Sequence, residues 1–111
     1  MFRVTAFVIA AMVWSPISTP STALAADPVA GKQKAGMCAV CHGIDGIAKQ
    51  PDAANLAGES VLYLTRQLAA FRGGERKHEQ MSIIAKGLSE EDISDLAAWY
   101  ASIKVTAEMP Q

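Results

Sequence analysis

Cys38 and Cys41 are the two cysteines of this chain, and His42 follows the second directly, giving the run Cys38-Ala39-Val40-Cys41-His42. A C-x-x-C-H run is the sequence signature of covalent haem attachment. Each thiol at this spacing adds across one vinyl group, and the adjacent imidazole then reaches the iron from one side. Whatever the chain folds into must therefore enclose a large, flat, apolar macrocycle. A redox dithiol is the competing reading of such a pair. It requires a strand-rich sheet around the motif, and no segment here shows the strict alternation or β-branched enrichment of strands.

The first residues read as an export signal. Arg3 supplies a short positive region, Val4 to Trp14 is apolar apart from Thr5, and Ser15-Pro16 breaks the run. Ala23-Leu24-Ala25 offers small residues at a cleavage site, completing the pattern of a secretory signal peptide. The run is too short for a bilayer core, which takes about 20 apolar residues. The expected organisation is a signal peptide over 1–25, cleaved near Ala25, and one domain over 26–111. No membrane span is expected after cleavage, and the expected location is the periplasm, because bacterial haem attachment takes place outside the cytoplasm. In an exported protein two cysteines otherwise suggest a disulfide. A bridge within C-x-x-C closes a very small loop and adds little stability.

The formal charge of the whole chain is −1, and loss of Arg3 makes it more negative. There is no basic excess of the kind that marks a nucleic-acid binder. A domain this short builds only a small core, and small domains need a staple or a cofactor to compensate. A buried macrocycle meets that need.

The remaining pattern is helical. Asp27-Pro28 is a helix start, with an acidic N-cap and proline at the first helical position, and one helix is expected from Pro28 to the haem motif. Gly31 and Ala35 lie four apart on one face, small enough for another helix to approach closely. Gly43 to Gly58 is rich in turn residues and reads as a long loop. Val61, Leu64, Leu68 and Phe71 then form one stripe of an amphipathic helix, closed by Gly73-Gly74. Ser89 is an N-cap followed by Glu90, Glu91 and Asp92, where the helix dipole favours negative charge. Ile93, Leu96, Ala97, Tyr100 and Ile103 form its stripe, widened by Trp99, with Lys104 near its end. The expected fold is all-α: three main helices, a short helical turn near Met81, and Trp99 and Tyr100 set over Gly31 and Ala35.

His42 accounts for one axial position on the iron. For the other, the residues alone leave Met81, His78 and an open site as alternatives. Met37 is too close to Cys38 to reach the far face of the ring, and Met109 lies in the tail. His78 sits among Glu75, Arg76, Lys77 and Glu79 and reads as a surface residue. Methionine often only fills core gaps, but His/Met is a standard pairing in electron-transfer cytochromes.

Several stretches together resemble the class I c-type cytochromes, in particular the small single-haem bacterial branch and one half of the diheme periplasmic cytochromes c. They are Gly31 to Ala35, Cys38 to Gly46, Pro51, Leu56-Ala57-Gly58-Glu59, Tyr63-Leu64, Gln67-Leu68, Phe71-Arg72, Gly74-Glu75-Arg76, Met81 through Ser89, and Asp95 through Tyr100. The resemblance implies a cytochrome c fold of three to four helices around one haem c. It implies thioethers from Cys38 and Cys41, His42 and Met81 as axial ligands, and a Pro51 carbonyl that accepts from the His42 imidazole. It also implies a one-electron carrier rather than an enzyme. Its partners would be a donor dehydrogenase or quinol-oxidising complex and an acceptor oxidase or reductase of a respiratory chain. Two alternatives are a haem subunit held in a periplasmic dehydrogenase, for example a sulfide-oxidising one, and an open-site ligand-binding haem protein.

Overall fold

The computed structural model describes residues 25–111. The expected signal segment falls almost wholly on residues 1–24, outside the described residues. Five helical segments follow one another: α1 (Pro28–Lys34), α2 (Gly36–His42), α3 (Val61–Gly73), α4 (Met81–Lys86) and α5 (Glu90–Ser102). No strand occurs among the described residues.

The single helix expected from Pro28 to the haem motif is divided at one residue. Ala35 has φ −72° and ψ 0°, away from helical values, and Gly36 beside it contributes little to hold the helix. The ladder resumes on both sides, with Ala35 N–H bonded to the Gly31 carbonyl and Ala39 N–H to the Ala35 carbonyl, each at 2.9 Å. Asp27 caps α1 by accepting from Val29 N–H at 2.8 Å.

The most extensive helix pair is α1 against α5. Gly31 makes it possible. A Cβ built on Gly31 would stand 2.6 Å from the Asp95 carbonyl carbon and 2.9 Å from Trp99 Cβ. One turn on, Ala35 is fully buried and shares the core with Leu64, Leu96, Ala97 and Tyr100. The expected crossing is thus present, with Trp99 at Gly31 and Tyr100 in the cluster around Ala35.

Charge locks the same pair. Asp95 lies on the buried face of α5, only 3 % exposed. Its Oδ1 accepts from Asp27 N–H at 2.8 Å and its Oδ2 from Lys34 Nζ at 2.7 Å. Lys34 also reaches Asp92 at 3.0 Å and Glu91 at 3.3 Å. Hydrogen bonds that Lys34 donates to these carboxylates, Asp95 first, hold its ammonium above the usual lysine range. The Asp27 N–H, and then Lys34, lower the Asp95 carboxyl.

The start of α5 carries a full capping box. Asp92 N–H donates to Ser89 Oγ at 3.0 Å and Ser89 N–H donates to Asp92 Oδ2 at 2.9 Å, satisfying two helix-end donors reciprocally. The Ser89 N–H, aided by Lys34, lowers the Asp92 carboxyl to about 2. The helix ends at Ser102, so Lys104 lies outside it and contributes nothing to its last turn.

Ser60 caps α3 through Tyr63 N–H at 3.1 Å, and Gly74 closes it with an N–H to the Phe71 carbonyl at 3.4 Å. The α3 stripe meets the core from Leu64 onward. Leu64 and Phe71 are buried, while Val61, at the first position of the helix, is 46 % exposed. The helical turn expected near Met81 is α4, which packs on α3.

Candidate functional site

Helices α2, α3, α4 and α5 and the loop after His42 wall one cavity. Leu64, Leu68, Phe71, Ile84, Leu88 and Leu96 make much of its lining apolar. Cys38, Cys41, His42 and Met81 all face into it. The structure therefore brings the sequence-predicted thiols, imidazole and thioether to one place. No disulfide joins the two cysteines, and burial pushes the Cys38 thiol up.

His42 closes α2. Its Nδ1 lies 2.7 Å from the Ala54 carbonyl oxygen. A carbonyl only accepts, so Nδ1 carries the proton and Nε2 keeps its lone pair. That tautomer is the one a metal requires, and the outer contact fixes the ring and raises its basicity. The expectation for Pro51 is corrected here: the acceptor is the carbonyl three residues further on. Pro51 begins an exposed turn, Pro51 to Ala53, and that turn carries the chain back so that Ala54, not Pro51, presents its carbonyl to the ring.

The loop between His42 and α3 is held by its own backbone. Lys49 N–H bonds the Cys41 carbonyl at 2.7 Å, and Leu56 N–H bonds the Gly46 carbonyl at 2.8 Å. Asn55 Oδ1 accepts from Ala48 N–H at 2.8 Å. Gly43 begins the loop at φ +74°, a conformation open to glycine, and a Cβ there would collide with the Ile47 carbonyl and the Asp45 side chain. The Ile47 N–H, which donates to Asp45 at 3.0 Å, holds the Asp45 carboxyl below its ordinary range.

Two aromatic donors on α5 grip the carbonyls just after the ligand histidine. Tyr100 Oη donates to the Gly43 carbonyl at 3.1 Å, and Trp99 Nε1 to the Ile44 carbonyl at 3.1 Å. Burial pushes the Tyr100 hydroxyl well above the ordinary tyrosine range, so it stays a proton donor. Sequence reasoning placed both residues in the core. Their polar ends, like the Ala54 carbonyl, carried no separate signal.

Met81 opens α4. His78, expected on the surface, also borders the cavity. Its Nδ1 receives Gln80 N–H at 3.3 Å and Met81 N–H at 3.4 Å, and its own N–H donates to Ser82 Oγ at 3.0 Å. His78 thus helps to cap the helix that carries Met81.

The donor set fits a haem. Among the described residues no three His, Cys, Asp or Glu side chains form a cluster able to hold a bare ion. A largely apolar cavity with two thiols, an imidazole poised as a ligand and a thioether suits a metal carried inside a macrocycle.

The cytochrome c family model matches residues 28–104. The chain belongs to the cytochrome c family. Cytochrome c-554(548) of Halomonas halodenitrificans is 46 % identical over 81 residues, which cover 70 % of this chain and 98 % of that protein. The crystal structure of reduced recombinant cytochrome c4 from Pseudomonas stutzeri superimposes with a TM-score of 0.67 at 35 % identity, over 72 % of this chain and 47 % of that one. A protein named thiosulfate dehydrogenase electron acceptor, from Stutzerimonas stutzeri, is 35 % identical over 69 residues, covering 60 % of this chain and 32 % of its own length. The chain thus spans nearly all of the first relative but less than half of the other two. This cytochrome is of the class I c type and all-α. It carries covalently bound haem c and transfers electrons; it is not an enzyme. Among the described residues no helix is long and apolar enough to cross a membrane.

Proposed function

We propose that this cytochrome is a periplasmic one-electron shuttle, its haem bound through Cys38 and Cys41 and its iron ligated by His42 and Met81. The observation that carries the reading is the 2.7 Å contact from His42 Nδ1 to the Ala54 carbonyl, in a cavity that Met81 also lines. It leaves Nε2 free to bind metal while the cysteines beside it anchor the ring. Haem c supplies a ferric/ferrous couple when bound. With haem bound, His42 and Met81 would hold the iron and leave it no place for oxygen or substrate, and the thioether would favour the ferrous form relative to a second imidazole. The apolar walls exclude water from the ring, and Tyr100 and Trp99 hold the ligand segment still, so its geometry is the same in both oxidation states. The donor is then a dehydrogenase or quinol-oxidising complex and the acceptor an oxidase or reductase. The leader read in the sequence supports export.

The test is the spectrum of protein matured in the periplasm. Its chromophore is expected to survive acidified organic solvent. Its near-infrared sulfur-to-iron band is expected to vanish in Met81→Ala, which then binds carbon monoxide. A chromophore that washes out, or a wild-type protein that binds carbon monoxide readily, would refute the reading.

A second reading rests on the relative named as an electron acceptor of thiosulfate dehydrogenase: this cytochrome serves one periplasmic dehydrogenase as its dedicated haem partner. Co-purification with that enzyme at high ionic strength would favour it over the freely diffusing carrier.

A further inference from the structure

Among the described residues, Arg76 is the one side chain of fixed positive charge that lines the cavity. Its backbone N–H bonds the Ala70 carbonyl at 3.0 Å, tying the turn after α3 back onto that helix. Its guanidinium lies over the Phe71 ring, 4.6 Å from the centroid, and Nη1 donates to Gln67 Oε1 at 2.6 Å. Among the described residues no carboxylate pairs with it. Arg72, four residues earlier and within α3, differs in this respect: it is taken up by the Glu90 carboxylate and the Leu88 carbonyl. A neutral amide and an aromatic face therefore hold Arg76 in place without cancelling its charge, and most of its five N–H donors stay free.

We infer that Arg76 is a positioning residue whose guanidinium pairs with a haem propionate and thereby sets the reduction potential. The inference rests on the attachment through Cys38 and Cys41 proposed above. Those thioethers take the vinyl edge of the macrocycle. The two propionates project from the other edge, and two carboxylates entering this cavity meet one resident cation. A guanidinium fork matches a carboxylate in a bidentate pair, which a lysine does not reproduce. Asp52 and Glu59, which also border the cavity, would repel the same groups, so the burden falls on Arg76. A propionate left uncompensated favours the ferric state, and one paired with Arg76 favours the ferrous state.

The experiment uses the mature holoprotein. In the wild type, nuclear Overhauser contacts are expected between the Arg76 guanidinium protons and the propionate methylenes. In R76Q the propionate bending band of the resonance Raman spectrum is expected to shift. The ferric-to-ferrous ratio at fixed poise is expected to rise about tenfold, on the order expected for one unit charge roughly 12 Å from the iron at an effective dielectric of about 20; tenfold is about 59 mV for one electron. R76K, which keeps the charge but not the fork, is expected to retain most of the potential while still shifting the band. Absence of the wild-type contact, or a band and potential unchanged in R76Q, would overturn the assignment; if R76Q does not mature, the wild-type contact decides alone. Protein without covalent haem in a pyridine haemochrome assay would overturn this inference and the proposed function together, whereas haem-loaded protein with no Arg76 effect overturns this inference only.

Discussion

Gly31→Ala tests the helix crossing on which the fold is built. The added Cβ meets the Asp95 carbonyl carbon at 2.6 Å and Trp99 Cβ at 2.9 Å, where ordinary contact begins at 3.4 Å. The first obstacle is main chain, which cannot rotate aside as a side chain would. The Asp95 carbonyl oxygen lies nearer still than its carbon, so α5 must retreat by more than about 1 Å to restore ordinary contact. Overpacking of this kind costs about 1–3 kcal/mol, and the rigid obstacle places this site at the upper end. Alanine returns about 1 kcal/mol through its better helix propensity. The net loss is about 2 kcal/mol. For a domain of this size that lowers Tm by about 8–16 °C. Gly36→Ala is the internal control. It lies on the same helical run, and a Cβ there meets nothing within 4 Å, so it is expected to gain up to about 1 kcal/mol. Thermal unfolding of both holoproteins, followed by near-ultraviolet circular dichroism, gives the comparison. If Gly31→Ala is as stable as wild type, or rises in step with Gly36→Ala, the close approach of α1 and α5 is not what the structure describes.

Pro51→Ala is expected to leave the haem spectrum and potential unchanged, because the His42 imidazole bonds the Ala54 carbonyl; a shifted potential would restore Pro51 to the role the sequence suggested. Tyr100→Phe removes the 3.1 Å bond to Gly43, whose carbonyl still accepts from Gly46 N–H at 3.2 Å, so it is expected to cost about 0.5–1.5 kcal/mol by urea denaturation, and wild-type stability would count against the bond. Asp92 and Asp95 have folded pKa values below their ordinary ones, so their contribution is present above about pH 4 and is lost as pH falls through the folded values, near 2 for Asp92. Lys34 is raised, so its contribution is present below its ordinary value of 10.5 and is lost at still higher pH. Stability measured by denaturation across pH should therefore fall off at both extremes, and Lys34→Met should flatten the alkaline limb; an unaltered limb would remove Lys34 from the account.

Which parts of the molecule were legible in the sequence follows from where the information resides. The α1–α5 crossing could be read because small residues at Gly31 and Ala35 and large ones at Trp99 and Tyr100 are chemical facts of single positions. The Ser89 cap could be read for the same reason. The attachment motif named its own chemistry. The acceptor for His42 could not be found, because every residue has a carbonyl and only the turn from Pro51 to Ala53 decides which one faces the ring. Nothing in the sequence marked Asp95 as buried; its burial depends on Lys34, sixty-one residues away. The division at Ala35 left no signature, since Ala-Gly is compatible with a continuous helix and with a slightly loosened one. Val61 fitted the stripe by spacing, but the stripe reaches the core one turn later.

The bonds from Trp99 and Tyr100 to the Ile44 and Gly43 carbonyls also bear on the order of events in biogenesis. Tyr100 is separated from its acceptor by fifty-seven residues, so these two clasps close only after α5 has emerged and docked. Until then the thiols remain on a pliable stretch of chain, accessible to whatever enzyme ligates them. A nascent chain halted before residue 99 would offer its cysteines but would lack the latch that makes ligation a step toward a finished protein.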